Sequence, residues 1–272
     1  MKPAPFDYLR ARSLGEAVRA LADAAGDGKI IAGGQSLMPV LALRMARPRL
    51  LVDINRIPGL STITPVDTGV RLGALVRHAR LVEQTLHPLL AEAARWIGHA
   101  AIRSRGTSGG SIAHADPAAE LPVVAAALEA TIHIAGPGGT RTSTATDLFT
   151  GPLETTLAED ELITAIDMPA PERWGFAEFS RRHGDFGLVT VVAAEVRGRW
   201  RLAIGGVGGV PHRPAEAEDL LNDGGSPDQV AAAAAAAVTP SGDIHASAEY
   251  RRAMMEEFTR RALTAATQKA VA

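Results

Sequence analysis

The sequence predicts a two-lobed α+β fold followed by a small α+β domain whose sheet carries helices on one face. Three observations lead there. A short β/α unit with a glycine turn at a strand end opens the chain. The pattern of hairpins and helices then restarts near residue 60. After Pro169 and Pro171, three strand-like segments run in succession before three helical ones. At 272 residues the chain is long enough for more than one core. We expect lobes over 1–56 and 57–172 and a C-terminal domain over 173–272.

Residues 6–10 read as extended. Ser13 starts a helix, with Glu16 three residues on in a capping-box pattern. Leu14, Val18 and Leu21 form its apolar stripe. Residues 29–32 read as a buried strand, 37–46 as a helix stopped by Pro48, and 50–54 as a strand. The glycine turn thus lies at the C-terminal end of a strand, where ligands bind in α/β units.

In the second lobe, 62–63 and 70–73 read as a hairpin, and 75–84 and 88–97 as helices. A helix is expected over 121–130, opened by Asp116-Pro117 and Glu120. Residues 130–134 and 141–144 form a hairpin through Gly136-Pro137-Gly138-Gly139. Residues 146–149 make one helical turn, and 161–168 a strand. In the third segment the strands are 176–180, 188–196 and 200–206, and the helices 214–221, 229–238 and 246–268. The seven alanines at 231–237 favour helix. Tyr250, Met254, Phe258 and Leu263 lie on or near one face of the last helix.

Composition excludes several classes of function. With 28 basic and 30 acidic residues, the net charge of −2 gives no electrostatic case for nucleic acid. No apolar run reaches membrane-spanning length, and the first residues lack the apolar core of a signal peptide, so a cytoplasmic protein is expected. There is no cysteine, which removes disulfides, a thiol nucleophile, a cysteine-bound zinc and an iron–sulfur cluster from this chain. Redox chemistry would come from a bound organic cofactor or from a partner. The eight histidines form no H-x-x-x-H or H-E-x-x-H, so no metal site is expected, and no G-x-S-x-G supports a serine hydrolase.

Two stretches carry the chemistry. The first is I-I-A-G-G-Q-S-L-M-P at 30–39, a strand running into Gly33-Gly34 with Gln35 and Ser36 beside it. The second is R-S-R-G-T-S-G-G-S-I-A-H-A-D-P-A-A-E-L-P at 103–122, which reads as a Gly/Ser loop feeding a helix N-terminus. Glycines let the backbone approach a ligand, and amides at such a loop favour an anion. Neither is G-x-G-x-x-G or a Walker A loop. Together they suit a long polyanion such as a dinucleotide pyrophosphate; tight turns without a ligand are the plain alternative. His114 is either a capping histidine or a group near the ligand. Asp116 and Glu120, one helical turn apart, suit an acid/base pair or caps for the helix start. Residues 181–186, R-R-H-G-D-F, form a charged turn that either stays solvated or brings Phe186 against a flat ring.

At these residues the sequence resembles the medium, FAD-binding subunit of the molybdenum hydroxylases, the carbon monoxide dehydrogenase, xanthine dehydrogenase and aldehyde oxidase group. The resemblance covers nearly the whole chain. It takes in A-G-G-Q-S-L-M-P, T-S-G-G-S-I-A-H-A-D-P, L-V-D-I-N at 51–55, D-E-L-I-T-A-I at 160–166 and S-R-R-H-G-D-F at 180–186. It implies an FAD-binding fold of the vanillyl-alcohol-oxidase (PCMH) type with noncovalent FAD between the lobes. Ala32, Gly33, Gly34, Gln35, Ser36, Leu37 and Met38 match the first pyrophosphate loop. Thr107, Gly109, Gly110 and Ser111 match the second. Glu120 matches an acidic contact to FAD, and Ile97, Ile102 and Ile163 apolar ones. His114 and Asp116 complete the cofactor-binding set, and Phe186 matches a position beside the isoalloxazine.

The sequence departs from the family at two places. Ala177 falls where the xanthine dehydrogenase branch has a flavin-contacting lysine, which speaks against NAD reduction. Ser111 replaces a common asparagine. The implied role is electron transfer, from a small [2Fe-2S] subunit to FAD and on to a terminal acceptor. A large molybdenum-cofactor subunit performs the hydroxylation, in a dimer of heterotrimers. The rivals are a self-contained FAD oxidoreductase of the same fold and a non-redox nucleotide-binding protein.

Overall fold

The computed structural model describes residues 2–268. Strand β1 (Asp7–Arg10), helix α1 (Leu14–Asp23), β2 (Gly28–Ile31), α2 (Leu37–Ala42) and β3 (Leu50–Asp53) form the opening unit. Its strands are all parallel, in the order β1-β3-β2, because helices cross over between them. The Ser13 hydroxyl accepts from the Glu16 amide at 3.2 Å. Glu16 reaches back to the Arg12 amide at 2.7 Å rather than to that of the cap residue, so half of the capping box forms. The strand expected to be buried, β2, is a sheet edge and only Gly28 is fully covered. Helix α2 stops at Ala42, earlier than expected, and Arg44 beyond it takes a positive φ of 57°.

β4 (Ile63–Val66) and β5 (Gly69–Gly73) form the expected hairpin, followed by α3 (His78–Glu83), α4 (Pro88–Trp96), α5 (Ala100–Arg103), α6 (Ser108–His114) and α7 (Glu120–Ala127). β6 (Thr131–Gly136) and β7 (Gly139–Thr144) pair antiparallel; α8 (Ala145–Leu148), β8 (Phe149–Gly151), β9 (Glu154–Thr155) and β10 (Leu162–Pro169) complete this part. The sheet order is β4-β5-β10-β6-β7, with β8 and β9 paired apart. Every residue of α7 is buried. A helix apolar all round belongs inside a core. Leu121, Val123 and Val124 share one cluster with Leu72, Ile132 and Ile166 of this sheet and Val192 and Ala203 of the next.

β11 (Arg173–Phe179), β12 (Val189–Val196) and β13 (Arg199–Gly205) are antiparallel in chain order, followed by α9 (Ala215–Asn222), α10 (Pro227–Ala236) and α11 (Ala248–Gln268). The segment's own helices cover one face, where Met255, Phe258, Ala262 and Leu263 meet Val191, Ala193 and Leu202. Met255 rather than Met254 is the fully buried methionine, and Tyr250 is exposed. The other face packs against α4 and α7. Buried on both sides, β12 is apolar almost throughout instead of alternating. Among the described residues no helix is long and apolar enough to cross a membrane.

Candidate functional site

β2 delivers the first glycine bend to the parallel sheet's C-terminal edge. Gly33 is buried against the carbonyl of Arg105, the approach to the second stretch; a Cβ there would collide with that oxygen and stand 3.0 Å from the Gly106 Cα. Gly34 adopts φ +76°, a conformation that suits glycine. The amides of Gly33, Gly34, Gln35 and Ser36, and the Gln35 and Ser36 side chains, make no hydrogen bond to the chain among the described residues. Leu37 and Met38 start α2, and Met38 is 40% exposed.

A polar chain fixes this bend to the second one. Asn55 donates from Nδ2 to the Ala32 carbonyl at 2.8 Å and to Asp53 Oδ1 at 2.7 Å. Arg77 donates from Nη2 to Asn55 Oδ1 at 2.6 Å and from Nη1 to the Arg105 carbonyl. The Tyr8 hydroxyl donates to Asp53 Oδ2. Burial raises the Asp53 carboxyl, but the donors Tyr8 and Asn55 outweigh it and hold the pKa below its ordinary value. Burial, with Arg105 nearby, lowers that of Arg77.

The second stretch differs from its sequence reading. Ser108–His114 is a helix, α6, capped by the Thr107 hydroxyl accepting from the Gly110 amide at 3.1 Å. Gly109 serves packing. A Cβ on Gly109 would stand 2.8 Å from the Ala74 Cα, so α6 seats directly on the end of β5. The first-turn amides are already paired: Ser108 to Val76 O and Gly109 to Ala74 O, both at 2.9 Å, and Ser111 to Thr107 O at 2.9 Å. The first bend therefore keeps unpaired amides where this stretch has paired ones, and Ser111 and His114 are half-buried here. Asp116 does not cap α7. Its Oδ1 accepts from Ala118 N at 2.9 Å, closing a turn, and the cap residue is Ala119. Behind Gly106 lies the buried ring of His78; burial pushes it down to about 4, against a weaker pull from the Thr107 backbone.

A third group of residues gathers beside α5. Ile97 is buried at the end of α4 and Ile102 is 39% exposed on α5. Arg103 Nη1 donates to the carbonyls of Ile97 at 3.1 Å and Gly98 at 2.7 Å. The 180–187 turn folds onto this region: Gly184 packs on the His99 ring, and His183 meets Trp96 edge-on at 5.2 Å. Phe186, on that turn, is 71% exposed. Ile163 is placed differently, inside the main core on β10. Ala177 packs on the α11 face of its sheet. Glu120 is buried in the first turn of α7; burial first, then Asp116, pushes its carboxyl up to about 7.

Asn55, Arg77, His78 and Glu178 escaped the sequence reading of the site. Asn55 was visible only within L-V-D-I-N, and Glu178 as an acid at an inward position of an apolar strand; Arg77 and His78 gave no sequence signal. Among the described residues no group of three or more His, Asp or Glu is placed to hold a metal. The residues fit a flavin dinucleotide: four unpaired amides with two polar side chains for a diphosphate, and an apolar region with an exposed phenylalanine for a ring.

Comparison with known proteins gives the same picture. Residues 4–171 match the family described as the FAD binding domain in molybdopterin dehydrogenase. Residues 174–266 match the CO dehydrogenase flavoprotein C-terminal domain. The chain is 45% identical to the 6-hydroxypseudooxynicotine dehydrogenase complex subunit alpha of Paenarthrobacter nicotinovorans, over 99% of this chain and 97% of that one. It is 36% identical to the carbon monoxide dehydrogenase medium chain of Hydrogenophaga pseudoflava, over 98% of each. Its fold superposes on a chain of quinoline 2-oxidoreductase from Pseudomonas putida 86 with a TM-score of 0.94, at 36% identity and full coverage of both chains.

Proposed function

The chain belongs to the FAD-binding medium subunits of the molybdenum hydroxylases, and from that premise we propose that it is the electron-transfer subunit between a small [2Fe-2S] subunit and a terminal acceptor. It is an oxidoreductase subunit of a multi-subunit complex. In this reading a large molybdenum-cofactor subunit oxidises the substrate, and the assembly is a dimer of heterotrimers. Residues 1–56 and 57–172 are the two FAD-binding lobes and 173–272 the C-terminal flavoprotein domain.

FAD, when bound, supplies a carrier able to hold two electrons and release them to another centre. This chain's residues do the rest. The amides of Gly33, Gly34, Gln35 and Ser36 donate to the diphosphate, and Thr107, Gly109, Gly110, Ser111 and His114 form the second cofactor-binding stretch. Asn55 and Arg77 keep the two bends in register. Phe186, Ile97 and Ile102 line the ring, and Ile163 supports it from the core. The absence of cysteine agrees with clusters residing on another subunit.

Relatives alike along their whole length carry names with unrelated substrates, 6-hydroxypseudooxynicotine and carbon monoxide. That supports placing substrate choice on the large subunit. The observation that carries the reading is the pair of bends held together with one of them left rich in unpaired amides. The test is reconstitution. The isolated chain retains FAD but oxidises no substrate. With both partner subunits present, substrate bleaches the flavin. Turnover of a small substrate by the chain alone would favour a self-contained oxidoreductase, and failure to retain FAD would refute the reading.

A further inference from the structure

One residue, Gly106, separates the ring of His78 from the first glycine bend. His78 opens α3 and is 5% exposed. Its amide donates to the Gly106 carbonyl at 3.0 Å, and its ring packs on the same glycine. A Cβ on Gly106 would stand 2.8 Å from His78 Nδ1 and 2.9 Å from Cε1. A Cβ on Gly33, in turn, would stand 3.0 Å from the Gly106 Cα. The ring, Gly106 and Gly33 therefore form a continuous series of contacts to which Gly106 adds no side chain.

Backbone bonds fix the register of the segments on either side of this contact. The Ser108 amide donates to Val76 O at 2.9 Å, and Arg77 and Thr107 form an isolated antiparallel bridge, so 76–78 runs beside 106–108. The Gly106 amide donates to Ile102 O at 2.8 Å. Within that register the ring limits how closely Gly106 settles on α3. Among the described residues both ring nitrogens are buried without a hydrogen-bond partner. Burial first, with the cations Arg77 and Arg103 adding to it, pushes the ring's pKa down to about 4, so it is neutral near pH 7. A neutral ring that makes no side-chain hydrogen bond acts here through its shape.

We propose that His78 is a positioning residue for the cofactor: through Gly106 its ring sets the separation of the two glycine stretches, and with it the fit of the first-bend amides to the dinucleotide. This inference rests on the FAD-binding reading above. Close-packed interiors pass displacement from one contact to the next, so a shift of the ring moves Gly106 and then Gly33. Hydrogen bonds weaken steeply once donors leave alignment, so a small retreat of Gly33 is felt in affinity before it is felt in the fold. Arg77 ties the Arg105 carbonyl to Asn55 by hydrogen bonds. His78 acts on the next residue by ring contact, which makes the two neighbours complementary.

The test is fluorescence titration of the full-length apoprotein with FAD at pH 7, read together with the absorption spectrum of the bound flavin and the melting temperature of the apoprotein. His78→Ala removes the ring, and Gly106→Ala drives a methyl against it. Each should raise the Kd for FAD by about tenfold or more and alter the bound-flavin spectrum. Combined in one chain the two changes relieve each other, and the double variant should bind FAD more tightly than either single one. His78→Leu keeps most of the volume without the nitrogens and should stay closer to the parent than His78→Ala does. A ring with a purely structural role would lower the melting temperature of His78→Ala and leave Kd and spectrum as in the parent; that result overturns the proposal and leaves the FAD reading intact. Gly106→Ala probes the same contact with the ring in place, so a parent-like Kd there overturns it whether or not His78→Ala folds. Losses that add in the double variant would overturn it as well. Failure of the parent chain to bind FAD would remove the FAD reading and this role together.

Discussion

The Arg77 guanidinium donates to Asn55 Oδ1 at 2.6 Å, and through this one contact the carbonyls of Ala32 and Arg105 are held by a single pair of side chains. Asn55 departs from β3 and Arg77 precedes α3, so the tie joins the parallel unit to the antiparallel part of the molecule. Asn55→Ala leaves the Ala32 carbonyl and the Arg77 fork without their partner. Losing such a partner costs about 1–3 kcal/mol. The expected result is FAD affinity lower by roughly 10- to 100-fold, with the absorption spectrum of residual bound flavin altered. Arg77→Met should act alike, and the double variant should cost little more than either single one. Fluorescence titration of the apoprotein with FAD measures all three; additive losses would show that the two residues act separately.

Gly33 and Gly109 are both demanded by close approach, yet they fail differently. Alanine at 33 meets the Arg105 carbonyl and pushes the bends apart. Gly33→Ala should therefore release FAD while leaving the melting temperature of the apoprotein nearly unchanged. Alanine at 109 meets Ala74 beneath α6, an overpacked contact of about 1–3 kcal/mol, so Gly109→Ala should lower the melting temperature first. Gly138, with no atom within 4 Å of its Cβ position, is the control, and Gly138→Ala should change neither. Differential scanning fluorimetry with and without FAD separates the three.

His78 makes the wall behind Gly106 sensitive to acid. Its folded pKa of about 4 lies below the unfolded value of 6.5 because burial disfavours the charged ring. Between those values the unfolded chain binds more protons, so stability falls as pH drops from 6.5 towards 4. The loss for this one group is on the order of 3 kcal/mol. His78→Leu should flatten that part of the profile, as read by urea unfolding at pH 7, 6, 5 and 4. An unchanged slope would mean that the ring is not the group responsible.

Much of this arrangement was legible in the sequence because it is local. The first bend and the hairpin at Gly136 to Gly139 are written in neighbouring residues, and the structure has them where periodicity and turn chemistry place them. The second stretch is a helix where its glycines predicted a loop, because glycine has two uses. Three glycines suggested a loop, whereas Gly109 is helical so that α6 can lie on Ala74, a neighbour 35 residues away in sequence that no local pattern reveals. The same holds for β12: its continuous apolar run reflects burial by α7 on one face and α11 on the other. Asn55 and Arg77 stand 22 residues apart, and their contact joins the segment after β3 of one sheet to the segment after β5 of another, which no local pattern reveals.

Glu178 should give the opposite slope to His78. Its folded pKa of about 8 lies above the ordinary 4.5, first through burial and then through the charge of Glu120. Between those values the native protein keeps a proton that the unfolded chain releases. Stability therefore falls as pH rises from about 4.5 to 8, by an amount on the order of a few kcal/mol. Glu178→Gln has no proton to lose and should remove this decline. Near pH 4.5 it should be no more stable than the parent; at pH 8 it should be more stable, with the difference growing through the window. Thr190→Val tests the cause. The hydroxyl now favours the ionised carboxylate, so its removal should steepen the loss at the alkaline end. Chemical unfolding of the apoprotein from pH 4 to 9 measures every term, and a Glu178→Gln profile parallel to the parent's would show that this carboxyl is ionised in the fold. With His78 weakening the protein below 6.5 and Glu178 weakening it as pH climbs, the parent's maximum should move in opposite directions when either group is replaced alone, to higher pH for Glu178→Gln and to lower pH for His78→Leu.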